Sequence, residues 1–167
     1  MKKIENINFY TQNAVVLAQK LLGKYLCLKK GEDIFKAKIT ETEAYLGKTD
    51  SASHAYKGKT NRNSVMFQKG GVCYVYICYG IHNLLNIVSG EENDPQAVLI
   101  RSVEGLNGPG KVTKELGIDR TFNGKSLLEN EIWIEDEEEP KQIEKLPRVG
   151  IGYAKQEDQE KLWRFRI

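Results

Sequence analysis

The spacing of apolar and polar positions changes several times along the chain, and each change marks an element. From about Thr11 to Leu22, Ala14, Leu17, Ala18 and Leu21 recur at helical spacing, with Thr11 as candidate cap and Gly23 as stop. Residues 24–29 and 34–46 read as strands joined by the turn Lys30-Gly31-Glu32-Asp33. From Gly47 to Gly71 the pattern dissolves into a polar, glycine-broken loop of about 25 residues, a length that compact domains keep mainly for function. The run Val72 to Tyr79 is β-branched and aromatic, and after Gly80 a second apolar run spans Ile81 to Val88. Together they predict a hairpin with Tyr79-Gly80-Ile81-His82 near its tip. A further strand is expected at Ala97 to Val103, and Asn107-Gly108-Pro109-Gly110 opens a short helix, Lys111 to Leu116, that Gly117 ends. Ile132-Trp133-Ile134 and Leu162 to Ile167 are late strands, with the acidic run Glu135 to Glu139 between them as a solvated loop. No repeat and no linker interrupts this order. The pattern therefore predicts one α+β domain over residues 1–167, a curved, mainly antiparallel, barrel-like sheet with peripheral helices and a protruding β-hairpin.

Composition narrows the class. With 40% hydrophobic and 29% charged residues, the chain has the make-up of a globular domain and carries no apolar run of membrane-spanning length. The N-terminus lacks the pattern of an export signal, so a cytoplasmic location and no membrane partner are expected. Three cysteines, Cys27, Cys73 and Cys78, are too few and too irregular for a disulfide framework, and with two histidines they match no zinc pattern. They are expected to be reduced and mostly buried, with no metal. The net charge of +2 conceals an imbalance: residues 1–70 hold 13 Lys and Arg against 6 Asp and Glu, residues 71–167 hold 12 against 17. A basic surface over the first half suits a polyanion.

Candidate chemistry sits in three stretches. In Ile39-Thr40-Glu41-Thr42-Glu43-Ala44-Tyr45 the two-residue period places Glu41, Glu43 and Tyr45 on one strand face. Glutamate is depleted in strands, so the face is either a water-facing surface or a cleft edge where a carboxylate acts as general base. The spacing of about 6.6 Å also permits a carboxylate pair of glycosidase type. Among the tyrosines, Tyr74 and Tyr76 share a face as candidate core residues, whereas Tyr79 at the tip is a candidate stacking or wedging group. In the long loop His54 is followed by Lys57, Lys59, Arg62 and Lys69 among small polar residues, a composition suited to phosphate contacts. Gly108-Pro109-Gly110-Lys111 lacks the spacing of a phosphate-cradling loop, and no acyl-transfer motif is present.

These segments together resemble the alkyladenine (3-methylpurine) DNA glycosylase family. The likeness runs in order through Glu41-Thr42-Glu43-Ala44-Tyr45-Leu46-Gly47, Ser53-His54, Thr60-Asn61-Arg62-Asn63, Met66-Phe67 and Tyr74-Val75-Tyr76-Ile77-Cys78-Tyr79-Gly80. It continues through Asn86-Ile87, Val98 to Arg101, Gly108 to Lys111, Arg148 to Gly152 and Leu162 to Phe165. The resemblance implies that Glu43 is the base that deprotonates the attacking water and that Arg101 orients nearby. It implies that Tyr45, His54 and Tyr76 wall the pocket for an extruded base, that Asn86 crowds the 2-amino group of guanine, and that Tyr79 enters the minor groove. Thr60, Arg62, Met66 and Lys111 are expected at the DNA backbone. Glu41 is then support. The expected partner is double-stranded DNA with damaged purines, bound by a monomer without cofactor. His82, beyond the tip, stands where the family can carry an aromatic. The rival readings are a non-catalytic nucleic-acid-binding module, whose sheet resembles the C-terminal domain of formyltransferases, and a hydrolase of free nucleosides or sugars working through Glu41 and Glu43.

Overall fold

One long strand organises the molecule, whose computed structural model describes residues 1–167. This strand, β2 (Asp33–Tyr45), pairs along its first half with β1 (Tyr25–Lys30) and along its second half with β5 (Gln96–Val103). β3 (Cys73–Cys78) and β4 (His82–Ser89) form the expected hairpin beside β5, and β7 (Ile132–Glu135) lies outside β1. The main path is therefore β3-β4-β5-β2-β1-β7, antiparallel throughout. Short strands complete the sheet: β6 (Leu106–Asn107) on β5, and β8 (Glu144–Leu146) on β9 (Arg164–Arg166), which itself pairs with Glu41 to Glu43. The register shifts between Ile39 and Thr42 are a bulge, the device by which sheets bend beside functional sites.

Period-two alternation along β2 divides its side chains between two environments. Thr42 and Ala44 are buried towards the core, where the Thr42 hydroxyl donates to the Ala18 carbonyl at 2.8 Å. Glu41, Glu43 and Tyr45 project to the other side. The core side is covered by α2 (Ala14–Leu21), which packs on β2 and β5 through Ala14, Leu17, Ala18 and Leu21, all fully buried. Each leucine of that size contributes roughly 1.5–3 kcal/mol on burial. α3 (Pro109–Leu116) packs on β4 and β5, opened by Pro109 and closed by the left-handed Gly117, as expected.

Several features depart from the sequence reading, among them the short strands β6 and β8, which it does not contain. The first helix begins at Ala14 rather than Thr11, because Asn13 caps it by accepting from the Val15 N–H at 2.8 Å. Thr11 instead closes a separate turn of helix, α1 (Ile7–Tyr10), which the periodicity does not reveal. A second such turn, α4 (Gln156–Gln159), falls in the polar stretch before the last strand. The acidic run is not wholly solvated: Glu135 belongs to β7, is buried, and pairs with Lys36 at 2.6 Å, while Asp136 holds Lys24 at 2.7 Å. β7 lies against β1, and that neighbourhood brings the first two acids of the run to lysines. No helix is long and apolar enough to cross a membrane.

Candidate active site

Glu43 lies near the end of β2, between Leu99 of β5 and Arg164 of β9. Its carboxylate is fully buried and held by three donors. The Tyr45 hydroxyl donates to Oε1 at 2.9 Å, an Arg101 guanidinium nitrogen to Oε1 at 3.3 Å, and the Val149 N–H to Oε2 at 2.7 Å. Burial and the adjacent Glu43 charge push the Tyr45 phenol well above its ordinary pKa, so it remains a donor. Oε2 accepts one bond and retains an unshared lone pair.

Glu41, on the same side of the strand, opens onto a different cavity. Its oxygens meet Arg101 at 3.2 Å and Arg164 at 3.2 Å, and it lines a separate polar cleft with Ser102, Asn107 and Arg166. The bulge sends the two carboxylates to different cavities, and Arg101 bridges them. A shared-cavity carboxylate pair is therefore not formed.

Above Glu43 opens a cleft of about 640 Å³, bordered by Tyr45, His54, Tyr76, Tyr79, Arg101 and Lys111 among others. It continues into a small inner chamber of about 40 Å³ formed by Tyr45, Ala52, His54, Met66, Tyr74, Tyr76, Asn86, Ala97 and Tyr153. His54 keeps an exposed edge and stacks its ring edge-on against Tyr76 at 4.4 Å between centroids, with Nδ1 3.1 Å from the Tyr74 hydroxyl. Burial, aided by the Arg62 charge, holds the His54 pKa below its ordinary 6.5, which favours the neutral ring at pH 7. Asn86 is buried and its amide is fixed by donation to the Tyr74 carbonyl at 3.2 Å.

The hairpin tip overhangs this cleft. A turn closed by the Ile81 N–H on the Cys78 carbonyl has Tyr79 and Gly80 at its centre, with φ of 52° and 66°. Both values are positive, as in the primed turns that match strand twist. Tyr79 is 88% exposed. Tyr79→Ala is accordingly expected to leave stability within about 0.5 kcal/mol of the parent, while lesion-DNA affinity falls by roughly 1–3 kcal/mol. Thermal melting and fluorescence anisotropy would check the pair, and a large drop in Tm would make Tyr79 a packing residue.

The other expected DNA-facing residues divide. Thr60, Arg62 and Lys111 are exposed, Lys111 on the cleft and Arg62 tied to the Ile77 carbonyl at 2.8 Å with its guanidinium over Tyr76. Met66 does not join them. It is 2% exposed and lines the inner chamber, because the loop around it folds on its own small core with Ala55, Val65 and Phe67. The sequence reading also leaves Asp50, Arg148 and Tyr153 without a role. Arg148 binds both oxygens of Asp50, at 2.6 and 2.9 Å, and both side chains are fully buried. The guanidinium also donates to the carbonyls of Ala44 and Asp158 and lies 4.9 and 5.0 Å from the Tyr45 and Trp163 ring centres. This pair fixes the backbone that offers the Val149 N–H to Glu43. Gly150 and Gly152 bracketing an apolar residue are the only local sign of such a tight segment.

The comparison that decides the family covers most of the chain: the model of the family described as methylpurine-DNA glycosylase (MPG) matches residues 8–107 and 105–167. The chain belongs to the methylpurine-DNA glycosylase family. This member is 46% identical to a protein of Borreliella burgdorferi (strain ZS7) named "Putative 3-methyladenine DNA glycosylase", across 95% of this chain and 93% of the relative. A protein of the same name from Clostridium novyi is 37% identical over all of this chain and 96% of its own length. Another from Chlorobium phaeobacteroides is 42% identical over 89% and 87%. The family's α+β architecture agrees with the curled antiparallel sheet described above, and Glu43 and Tyr45 of one motif border the same cleft as Tyr76, Cys78 and Tyr79 of the other.

Proposed function

We propose that this glycosylase flips alkylated, and also deaminated, purines out of duplex DNA and hydrolyses the N-glycosidic bond with a water activated by Glu43. The reading rests on one observation above all: a buried carboxylate, held by three donors, at the base of an aromatic cleft beneath an exposed tip tyrosine.

The chemistry follows from the setting. Extruding a base costs a few kcal/mol, least for damaged pairs. Stacking on Tyr45, His54 and Tyr76 returns about 1–3 kcal/mol per base, and Tyr79 fills the space left in the duplex. Glu43 borders the cleft with no surface open to solvent in the free protein, so its water enters together with the nucleotide. The free lone pair on Oε2 takes the proton as water attacks C1′. The negative charge also stabilises the oxocarbenium-like sugar; an alkylated purine cation leaves as a neutral base, whereas a neutral deaminated purine leaves as its anion and takes a proton from water. A neutral His54 stacks beside that cation without repelling it. Arg101, bridging Glu41 and Glu43, orients the carboxylate, and Asn86 excludes the guanine 2-amino group by position. Thr60, Arg62 and Lys111 meet the backbone of the duplex, and the enzyme acts as a monomer.

The test is release of free bases from methylated and deaminated duplex DNA, identified by mass spectrometry. Alkylated adenine is expected among the products, with abasic sites left in the strand. Asn86→Ser is expected to raise guanine-derived products relative to hypoxanthine. Binding without any release would return the chain to a binding module, and an equal slowing of every substrate by Asn86→Ser would reduce Asn86 to a structural amide.

A further inference from the structure

We infer that Tyr153 is a further wall of the base-binding cleft, a rigidly mounted aromatic that contacts the extruded purine and helps to set lesion affinity. This inference rests on the excision reading above.

The residue is unusual in combining exposure with immobility. The residue is 68% exposed, which for a tyrosine directly after a glycine in a loop ordinarily means a freely moving ring. Here both ends of the side chain are fixed. At the outer end, the phenol donates to the Ala52 carbonyl of the long loop at 2.6 Å. At the inner end, the backbone is pinned on both sides. Ile151 and Ala154 are buried together with Ala52, and the Ala154 N–H donates to the Ile151 carbonyl at 2.9 Å. The Gln159 amide donates to the carbonyls of Gly152 and Ala154, and the Lys155 N–H to the Ser51 hydroxyl at 2.9 Å. The ring borders both the outer cleft and the inner chamber, alongside Tyr45, His54 and Tyr76.

An exposed apolar ring held this way has no packing role to explain it, since little of its surface is covered within the protein. It loses almost no freedom when a flat ligand lies on it, so most of the contact energy is kept as affinity. The hydroxyl serves as the tie and the ring face as the contact. The tie also links the Ile151–Ala154 segment to the His54 loop, fixing the width of the slot into which a purine must slide.

Three variants separate face from tie. Single-turnover base release from methylated duplex DNA, over a range of protein concentrations, gives the half-saturating concentration and the limiting rate. Anisotropy with a duplex carrying an abasic-site analogue reports backbone and wedge contacts without a base. For Tyr153→Ala the half-saturating concentration is expected to rise about 5- to 150-fold, as the loss of one stacking partner implies. Its limiting rate should change less, and binding to the abasic duplex should remain at the parent value. Tyr153→Phe, which keeps the face and loses the tie, is expected to recover most of the affinity, and Tyr153→Leu little of it. Tyr153→Ala weakening both duplexes equally, or Tyr153→Phe as weak as Tyr153→Ala, would overturn the proposal. Absence of base release by the unmodified protein would instead overturn the excision reading, so the two failures remain distinct.

Discussion

Glu43→Gln is expected to lower base release by roughly 10²–10⁴-fold, the contribution of a positioned general base. Lesion-DNA binding should persist, because the carboxylate is fully buried and, on the proposed mechanism, its charge acts on the transition state. The substitution keeps the volume but not the bonding. Tyr45 and Arg101 donate to one oxygen and the Val149 N–H to the other, so whichever way the amide turns, its NH₂ confronts a donor. A buried conflict of that kind costs about 1–3 kcal/mol, and melting should reveal it. Single-turnover release with parallel anisotropy reads both effects. Glu41→Gln is the control: Glu41 lies outside the base cavity between Arg101 and Arg164, and its loss should disturb Arg101 without removing the base. Equal loss in the two variants would restore the two-carboxylate mechanism.

The largest effect on stability is expected at the Asp50–Arg148 pair. Both side chains have no exposed surface, and Asp50 also accepts the N–H groups of Leu46 and Ala52. Arg148→Met leaves a buried anion with one partner fewer, and Asp50→Asn leaves a guanidinium without its countercharge. Each is expected to cost about 3–5 kcal/mol. For a chain of this size that lowers Tm by roughly 6–20 °C. The double variant Asp50→Leu with Arg148→Met should lie closer to the parent than either single change, since no charge is left uncompensated. Equal or additive losses would show that the pair acts through its separate contacts with Ala44 and Asp158. The Val149 N–H is adjacent to Arg148, so the single variants should also slow catalysis by loosening Glu43.

Much of this was legible in the sequence because local rules sufficed. The period-two pattern placed Glu41, Glu43 and Tyr45 on one side of β2, the turn residues located the hairpin tip, and Pro109 and Gly117 bounded α3. The family motifs then collected residues from separate strands into one site. What stayed hidden depends on contacts between distant parts of the chain. Asp50 and Arg148 are 98 residues apart, and nothing near either signals that it will lose all its solvent. Met66 looked like a surface residue because its loop is polar, yet that loop buries its few apolar side chains against the hairpin. The start of α2 is ambiguous for a smaller reason: Thr11 and Asn13 are both competent caps, and only the preceding turn of helix decides between them.

The left-handed backbone of Tyr79 has a consequence for how such a tip persists through descent. A side chain with a Cβ at φ of 52° sits in a conformation that costs of order 1 kcal/mol or more relative to glycine, and at 88% exposure it recovers almost nothing from packing. Drift towards a sturdier molecule would therefore replace it with glycine or asparagine. Tyr79 is thus carried at a standing cost to the fold, and Tyr79→Gly is expected to melt at or above the parent temperature.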